Sequence, residues 1–228
     1  MSTPGTIVHV EQGSLAWKEV RCGIVTASRF ADVMDFTKKG DGADRKKYRS
    51  ELICEILTGI PYPRYESAEM RWGKEQEPFA RAAYELQNDV LVETPGFVMH
   101  PSILRFGGSP DGFVGEDGMI QIKCPNTTTH LNWMLAGTIP IEHAPQMAAE
   151  MSAYGRDWCD FVSFDPRLPE HLQLFVRRWE RNERIIAGVE KEVVSFNAEI
   201  DQVLAALPQK PQGVVISMDQ VAQDEVQF

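Results

Sequence analysis

The chain has 228 residues, 43% of them hydrophobic and 25% charged, so it is long enough to bury a core without help from disulfides or metals. Its net charge of −10 by itself argues against a nucleic-acid-binding protein, and it has neither a signal segment nor an apolar run near the roughly 20 residues of a membrane span, so we expect a cytoplasmic protein without membrane association. The cysteines, Cys22, Cys54, Cys124 and Cys159, contain no C-x2-C pair, which argues against a zinc ribbon or an iron–sulfur cluster and favours reduced thiols.

Helices dominate the predicted N-terminal part, after a first strand at Ile7–Val10. The helices follow capping residues and an apolar spacing of three to four residues. They are Leu15–Val20 after Ser14, a second helix that ends at Met34 and is capped by Thr26 or Ser28, Arg45–Thr58 and Met70–Gln87. Pro78 lies inside the last of these patterns, so that helix either starts near Pro78 or kinks there.

Positive charge is concentrated in residues 38–49, KKGDGADRKKYR, which carry six Lys or Arg residues against two Asp residues. Two interpretations of this basic run are open. It is either a solvated, flexible loop or a segment that follows a phosphate backbone on an otherwise acidic protein.

Short strands are predicted from residue 89 to residue 124, where the hydrophobic period changes to two and Gly or Pro separates the segments. They are Val90–Val92, Phe97–His100, Phe106–Ser109, Gly112–Val114 and Met119–Cys124. The turn signal Glu116-Asp117-Gly118 joins the last two strands in a hairpin.

Helices and strands alternate again in the C-terminal part. The predicted elements are helices at Thr127–Leu135, Ala144–Tyr154 and Arg181–Leu207 and strands at Cys159–Phe164 and His171–Trp179. Pro208 ends the last helix, and residues 208–228 form a polar tail. The whole pattern predicts an α/β (α+β) fold in which helices flank a central mixed β-sheet.

Polar side chains that could bind a metal ion or act in catalysis meet in the predicted hairpin. Alternation along a strand puts Gln121 and Lys123 on one face and points Ile120 and Ile122 into the core, and the turn returns Asp111 to their side. A carboxylate, an amide oxygen and an ammonium group suit a Mg²⁺ or Mn²⁺ site, where the lysine can orient or deprotonate water or stabilise charge on a phosphate. Alone, P-D-x9-Q-x-K is a weak pattern, because turns and surface lysines also produce it.

Four segments taken together resemble the PD-(D/E)XK nuclease superfamily and, more narrowly, the lambda exonuclease / YqaJ viral recombinase family. They are AWKEVRCGIVTAS (16–28), RWGKEQE (71–77), GGSPDG with IQIKCP (107–125) and HAPQMAAEM with FVSFDPR (143–167), and the similarity spans residues 10–205. The resemblance implies a single nuclease domain at 1–207, with a PD-(D/E)XK core at 70–180 and a helical DNA-end-binding part at 14–60.

The resemblance also implies a set of metal ligands. Asp111 would be the central carboxylate that bridges two ions, and position 121 would hold the second metal-binding carboxylate. Ile122 would offer its backbone carbonyl. Glu77, on the preceding helix, would support the second ion or its waters, with a solvated helix charge as the alternative. The expected cofactor is Mg²⁺ or Mn²⁺, with two ions in each active site.

A pocket for a 5′-terminal phosphate is implied by the first segment. Arg21 and Ser28 match family positions that bind this phosphate, and Ser109 would contribute a further hydroxyl. A phosphate suits such a fork of N–H donors and hydroxyls. Trp17 lies one helical turn before Arg21 and would pack on the terminal nucleotide, unless it simply packs in the core.

Four further matches complete the comparison. Lys123 would be the catalytic lysine, and Gln146 would be the helix glutamine that orients the site. Lys38 lies where the family has a basic residue that engages the threaded strand. His143 stands where the family can carry an aromatic hydroxyl.

Position 121 departs from the family pattern, which requires Glu where this chain has Gln. Gln is nearly isosteric and keeps one acceptor oxygen, but it is neutral. We therefore expect weaker metal binding and impaired catalysis, since even a ligand's hydrogen-bond partner is typically worth about ten- to a hundredfold in metal affinity. Two explanations are open: an engineered Glu-to-Gln variant that holds DNA uncut, or a natural homologue that is weak or inactive.

The function that the resemblance implies is a Mg²⁺-dependent 5′-to-3′ double-strand DNA exonuclease of phage or prophage type. It would act on double-stranded DNA with 5′-phosphate ends, release 5′-mononucleotides and leave 3′ overhangs for recombination. A ring-shaped homotrimer, a single-strand annealing protein as partner and the cytoplasm of a bacterial host are implied as well. A restriction-type endonuclease and a non-catalytic DNA-end-binding protein remain as alternatives.

Overall fold

The computed structural model describes residues 4–63 and 65–208. Its helices are α1 (Leu15–Val20), α2 (Phe30–Val33), α3 (Ala43–Thr58), α4 (Ala68–Asn88), α5 (Thr127–Ala136), α6 (Ala144–Tyr154) and α7 (Glu183–Ala206), with 3-10 turns at Ala27–Arg29, Ile141–His143 and Glu170–Leu172. Its strands are β1 (Thr6–Val8), β2 (Val25–Thr26), β3 (Phe36–Thr37), β4 (Gly40–Asp41), β5 (Val92–Glu93), β6 (Phe97–Met99), β7 (Phe106–Gly108), β8 (Gly112–Val114), β9 (Gly118–Lys123), β10 (Trp158–Phe164) and β11 (Leu174–Glu180). The predicted tail lies outside the described residues, apart from Pro208.

A five-stranded mixed sheet has the order β11-β10-β9-β8-β5. Its β9–β10 pair is parallel and the other pairs are antiparallel. The predicted hairpin is confirmed as β8–β9, in which Gly112 lies opposite Ile120 and Val114 opposite Gly118. Gly115 makes the turn possible because its φ of 59° lies in the left-handed region, which glycine adopts without steric cost. The parallel pair is connected through α5 and α6, since parallel neighbours need a long crossover.

A second mixed sheet has the order β1-β6-β7-β2. The strands therefore form two larger sheets and the small β3–β4 hairpin, where the sequence predicted one central sheet. The mixed α/β class with flanking helices is confirmed. The chain passes from the second sheet to the five-stranded sheet through Ser109, Pro110 and Asp111, which connect β7 to β8.

Helices cover both faces of the five-stranded sheet. On one face, Ala80 and Tyr84 of α4 pack in a cluster with Ile120 and Ile122, so the predicted direction of the two isoleucines is confirmed. On the other face, Met119 belongs to the larger cluster, which includes residues of α6 and α7. The alternation of β9 therefore turns its polar side chains toward α6. No helix in the described part of the chain combines the length and hydrophobicity that a membrane crossing requires.

Of the predicted N-terminal helices, some are confirmed and others differ from the structure. The helix Leu15–Val20 and its cap are confirmed, since Ser14 Oγ accepts a hydrogen bond of 3.1 Å from the Trp17 amide. The second helix is a 3-10 turn followed by the short α2, and Thr26, at its cap position, makes no side-chain cap bond. The expectation that the next helix could start near Pro78 is wrong. Helix α4 begins at Ala68, directly after its cap Ser67, and it contains Pro78.

Two of the predicted strands start at least two residues too early. The predicted strand Val90–Val92 is β5, which begins only at Val92, because the Val90 amide still closes the end of α4 by donating to the Glu85 carbonyl at 3.3 Å. The predicted strand His171–Trp179 begins at Leu174, because residues 170–172 form a 3-10 turn.

The basic run at 38–49 contains two arginines that are paired with acidic residues and four lysines that are exposed. Arg45 has 1% of its surface exposed and pairs with Glu199 of α7 at 2.5 Å, and Arg49 pairs with Glu199 at 2.6 Å and with Asp41 at 2.8 Å. The prediction of a solvated loop is therefore wrong for these two arginines and for residues 43–49, which lie in α3. The exposed cations of the run are Lys38, Lys39, Lys46 and Lys47.

Candidate active site

Asp111 lies at the junction of the two sheets, immediately before β8. Its Oδ2 atom accepts a hydrogen bond of 2.6 Å from the Ile122 amide and one of 2.5 Å from Nε2 of Gln121. The register of the hairpin brings it there, because Gly112 is paired with Ile120 and the preceding residue thus faces the next position of β9. The predicted proximity of Asp111 to this strand is confirmed.

Gln146 of α6 connects the polar side chains of β9. Its Nε2 atom donates to Oε1 of Gln121 at 2.8 Å and to Oε1 of Glu150 at 2.7 Å, while its Oε1 accepts from Nζ of Lys123 at 3.2 Å. A continuous hydrogen-bonded network therefore runs from Asp111 through the two amides to Lys123 and Glu150. Such a network fixes the rotamers of all its members.

Glu77 approaches the network from α4. Its Oε1 accepts a hydrogen bond of 2.6 Å from Arg81, one helical turn later, and Arg81 also donates to the backbone carbonyl of Asp111 at 3.2 Å. Arg81 therefore links the helix carboxylate to the junction of the sheets. Sequence reasoning did not identify Arg81, although its spacing of four residues from Glu77 is the usual spacing of a helical ion pair.

One cavity of about 260 Å³ contains most of the predicted site residues. The residues predicted to act in hydrolysis, called the hydrolytic set below, all line it: Glu77, Asp111, Gln121, Ile122, Lys123 and Gln146. Four of the residues predicted to bind the DNA end, called the end-binding set below, also line it: Trp17, Arg21, Ser28 and Ser109. Two groups predicted from separate parts of the sequence thus share one space.

Trp17 and Arg21 of the end-binding set are held together by direct contacts. Nε1 of Trp17 donates to Oγ of Ser109 at 2.7 Å, and the Arg21 guanidinium lies 4.0 Å from the centre of the Trp17 ring. Trp17 belongs to neither hydrophobic cluster of the described residues, which argues against simple core packing. The Ser28 side chain is exposed at the same cavity. A guanidinium, hydroxyls and an aromatic ring suit a terminal phosphate and its base.

Lys38 and His143 do not line this cavity. Lys38 is exposed between β3 and β4. His143 packs against aromatic rings, with its ring centre 5.4 Å from that of Phe161 and 5.2 Å from that of Trp133. Burial, followed by the charge of Lys123, lowers the pKa of His143 to about 4, so the ring is neutral near pH 7. The expected place of His143 at the binding site is therefore wrong for this cavity: the residue packs between aromatic rings.

Burial raises the pKa values of three carboxyl groups at the cavity. The pKa of Asp111 is raised by burial, which outweighs the opposing effects of Lys123, the Ile122 amide and Arg81. Burial and then the charge of Asp111 raise the pKa of Glu77 to about 7 and that of Glu150 to about 8. Neighbouring buried carboxyl groups do not readily ionise together, so they favour the binding of protons or cations.

The oxygen donors at the cavity fit a hard divalent cation such as Mg²⁺ or Mn²⁺. They are the carboxylates of Asp111 and Glu77, the amide oxygen of Gln121 and the backbone carbonyl of Ile122. With an amide at position 121, the described residues contain no cluster of three His, Cys, Asp or Glu side chains arranged to hold a metal. The expected effect of Gln121 on metal binding stays a prediction.

Comparison with known proteins identifies the lineage. The model of the YqaJ-like viral recombinase domain matches residues 16–157. The chain belongs to the YqaJ-like viral recombinase family. An alkaline exonuclease (LHK-Exo) from Laribacter hongkongensis is 45% identical, with a TM-score of 0.77 over 84% of this chain and 95% of that one. The structure of LHK-Exo in complex with dAMP gives the same identity and coverage with a TM-score of 0.78.

A phage-related exonuclease from Haemophilus somnus shares the fold at 16% identity, with a TM-score of 0.59 over 80% of this chain and 95% of that one. No curated protein sequence matches the chain. Membership of the YqaJ family, with the alkaline exonuclease as a neighbour, supports a nuclease of phage type that acts on double-stranded DNA in recombination.

Three residues of this YqaJ-family cavity were not predicted from the sequence: Gln12, Glu150 and Tyr154. Glu150 and Tyr154 follow Gln146 at intervals of four, so α6 presents a polar stripe to the cavity. That spacing was a usable signal in an otherwise apolar helix. Gly108 is needed for the close approach of α6, because a Cβ atom there would collide with Oη of Tyr154.

Proposed function

We propose that this chain is a Mg²⁺- or Mn²⁺-dependent 5′-to-3′ double-strand DNA exonuclease, impaired by Gln121, that releases 5′-mononucleotides and leaves 3′ overhangs for recombination. The observation that carries the proposal is the cavity shared by the hydrolytic set and the end-binding set. A terminal nucleotide held by the end-binding set would have its phosphodiester bond beside the hydrolytic set. The solved complex of LHK-Exo with dAMP supports a mononucleotide as the product.

Asp111, Glu77, Gln121 and the Ile122 carbonyl would hold the divalent cations, of which we propose two per site. A bound pair supplies an activated water and stabilises the charge that develops on the phosphate. Of these four groups, only Asp111 and Glu77 carry a carboxylate. Gln121 therefore lowers the affinity of the site for cations and with it the rate of hydrolysis.

Lys123 would act on the attacking water or on the scissile phosphate. Its ammonium group donates to Oε1 of Gln146, which fixes the amine beside the amide of Gln121. A positioned ammonium can orient the water and stabilise negative charge on the phosphate oxygens. Gln146 would serve as the positioning residue for both neighbours.

The end-binding set would select DNA that carries a 5′-terminal phosphate. Arg21 offers a forked, permanently charged donor, and Ser28 and Ser109 offer hydroxyl donors at the same cavity. Trp17 would stack on the terminal base, with its orientation fixed by the bond to Ser109. This recognition would make the protein act from ends and in the 5′-to-3′ direction.

The assembly that we propose is a cytoplasmic ring-shaped homotrimer that threads DNA, with a single-strand annealing protein as its partner. Residues 1–207 would form one nuclease domain, with the end-binding part at 14–60 and the core at 70–180. The four exposed lysines of the basic run, Lys38, Lys39, Lys46 and Lys47, would face the DNA, which would allow an acidic protein to bind a polyanion.

Digestion of a linear duplex labelled at either end tests this function. The parent chain and Gln121→Glu are compared in Mg²⁺ on 5′-phosphorylated, 5′-hydroxyl and closed circular DNA. We expect Gln121→Glu to degrade the phosphorylated duplex at least about a hundredfold faster, because position 121 is a metal ligand rather than a more distant support. Equal and measurable rates of hydrolysis for the two proteins would refute the role of position 121. Cleavage of the closed circle would indicate the restriction-type endonuclease instead.

A non-catalytic DNA-end-binding protein is the second candidate, and the Gln121–Asp111 hydrogen bond favours it. An amide N–H at 2.5 Å from the carboxylate occupies a direction from which a cation would otherwise approach. If this candidate is correct, the chain binds 5′-phosphorylated ends, and neither it nor Gln121→Glu hydrolyses them in Mg²⁺ or Mn²⁺.

A further inference from the structure

Glu150 is a buried acid at the candidate active site that the hydrolytic set does not account for. The residue has 2% of its surface exposed and lines the cavity. Its Oε1 atom accepts a hydrogen bond of 2.7 Å from Gln146, but its Oε2 atom is buried and has no hydrogen-bond partner among the described residues. A buried oxygen of an acid without a partner costs free energy, and either a proton or a bound cation would reduce that cost.

The position of Glu150 relates it directly to position 121. One nitrogen atom, Nε2 of Gln146, donates both to Oε1 of Glu150 at 2.7 Å and to Oε1 of Gln121 at 2.8 Å. Two oxygens that share a single donor are close enough to serve one cation, or neighbouring members of a pair of cations about 3.5–4 Å apart. Rotation of the Gln146 amide would release both oxygens toward the cavity.

We propose that Glu150 supplies to the divalent cation the carboxylate that position 121 lacks. Asp111, Glu77 and Glu150 line the same cavity but are not grouped to hold one ion in the described arrangement, so a shift of the Glu150 side chain would have to accompany the rotation of Gln146 on binding. The negative charge that Gln121 removes from β9 is provided again from α6, one helical turn after Gln146. This assignment rests on the proposed metal-dependent function, but it concerns metal binding and can be tested apart from hydrolysis.

The two carboxylate positions would be partly redundant, which makes a double-mutant cycle informative. In the parent chain, Glu150→Gln removes the replacement carboxylate and keeps the volume and the oxygen that accepts from Gln146. In the Gln121→Glu background, position 121 provides a carboxylate itself, so the loss of Glu150 has less effect.

The experiment measures Mn²⁺ binding to the full chain by electron paramagnetic resonance and calorimetry. The proteins are the parent, Glu150→Gln, Gln121→Glu, the double variant and the control Glu142→Gln, which changes an exposed acid just before α6. Thermal unfolding establishes that each variant folds. We expect Glu150→Gln to weaken Mn²⁺ binding at least about tenfold in the parent and less than about threefold with Glu at position 121. Glu142→Gln leaves the affinity unchanged.

An unchanged Mn²⁺ affinity in folded Glu150→Gln overturns the proposal, and so does an equal loss in both backgrounds. Digestion of 5′-phosphorylated duplex by the same proteins distinguishes this failure from failure of the proposed function. If Gln121→Glu hydrolyses DNA and Glu150→Gln binds Mn²⁺ like the parent, the nuclease stands and Glu150 is not a ligand. If Mn²⁺ binding follows the expected cycle and no variant hydrolyses DNA, the Glu150 assignment stands and the exonuclease assignment falls.

Discussion

The side-chain amide of Gln121 donates a hydrogen bond of 2.5 Å to Oδ2 of Asp111. With Glu at position 121, the same geometry would bring two carboxylate groups together at the end of a buried hairpin. Like charges at such a distance resist ionising together unless a proton or a cation lies between them. The amide of Gln121 therefore stabilises this part of the site without a metal ion. With a second carboxylate at position 121, the same arrangement would depend on a metal ion.

Gln121→Glu is expected to lower stability in EDTA and to make stability depend on Mg²⁺. Loss of the hydrogen bond and the added repulsion should cost roughly 1–3 kcal/mol at pH 8, and millimolar Mg²⁺ should recover most of this loss. Urea unfolding with and without Mg²⁺ measures both effects. The parent chain serves as the control, with a smaller response to Mg²⁺. Equal stability of the two proteins in EDTA would contradict the repulsion.

The pKa values of Glu77 and Glu150 predict how stability depends on pH in EDTA. Both groups have folded-state pKa values, about 7 and about 8, above the ordinary value of 4.5, because burial and Asp111 disfavour their ionisation. The folded chain therefore binds more protons than the unfolded chain, and this contribution is fully present below pH 4.5 and is lost as pH rises through 7 to 8. Stability in EDTA should fall by roughly 2 kcal/mol or more between pH 5 and pH 8.

Urea unfolding at several pH values in EDTA tests this dependence. Glu150→Gln should flatten the profile above pH 7, because an amide at that position does not titrate. Stability that stays flat between pH 5 and pH 8 would contradict the raised pKa values, because acids that are ionised in both the folded and the unfolded chain contribute no pH dependence in this range.

The sequence was a good guide wherever the determining contacts are local. Helices α1 and α6 begin and end as predicted, since the cap Ser14 and the closing Gly155 lie next to them in the chain. The hairpin that brings Asp111 to Gln121 was predictable because one short turn sets its register. The division of the strands into two sheets was not, because β1–β6 and β2–β7 join residues far apart in sequence.

Some residues of the candidate site were likewise predictable from the sequence, and others were not. A resemblance in four segments collected residues that no local pattern could bring together, such as Trp17 and Ser109, and the structure brings them into contact. Glu150 lies within the matched segment HAPQMAAEM, but the resemblance implied no role for it. Its approach to Gln121 depends on the packing of α6 against the sheet, which only the tertiary structure reveals. The inward direction of Arg45 depends in the same way on α7.

Arg21→Gln is expected to remove the preference for 5′-phosphorylated ends. The guanidinium supplies the permanent positive charge of the end-binding set and stacks on Trp17 at 4.0 Å. Its loss should raise KM for phosphorylated duplex by about ten- to a hundredfold and change KM for 5′-hydroxyl duplex little. The measurement is made in the Gln121→Glu background, where hydrolysis is fast enough to follow. Lys18→Gln is the matched control, because Lys18 is an exposed cation on α1, the helix that Arg21 follows directly.

An equal loss on both kinds of end would contradict this assignment. It would mean that Arg21 supports the fold of the cavity, through Trp17, and does not read the terminal phosphate. Binding of a short 5′-phosphorylated duplex, measured in EDTA to prevent cleavage, gives the same comparison without the chemical step.

Substitution should lower the free energy of unfolding in the buried part of the basic run and leave it almost unchanged in the exposed part. Arg45→Met leaves Glu199 with a single arginine partner and removes a buried pair, so we expect a loss of about 3 kcal/mol in the free energy of unfolding. The exposed Lys46→Met should change stability by less than about 0.5 kcal/mol. Urea unfolding of both variants makes this comparison, and equal losses would contradict the inward assignment of Arg45.

Neutralising the exposed lysines should change DNA binding and leave the fold intact. In a variant with Gln at Lys38, Lys39, Lys46 and Lys47, each lost phosphate contact should reduce the slope of log affinity against log salt concentration by about 0.9. The slope is measured for a 5′-phosphorylated duplex in EDTA between low and physiological salt. A reduced slope with unchanged unfolding free energy identifies this surface as one that follows the DNA backbone. An unchanged slope would mean that the run is solvated in the complex as well.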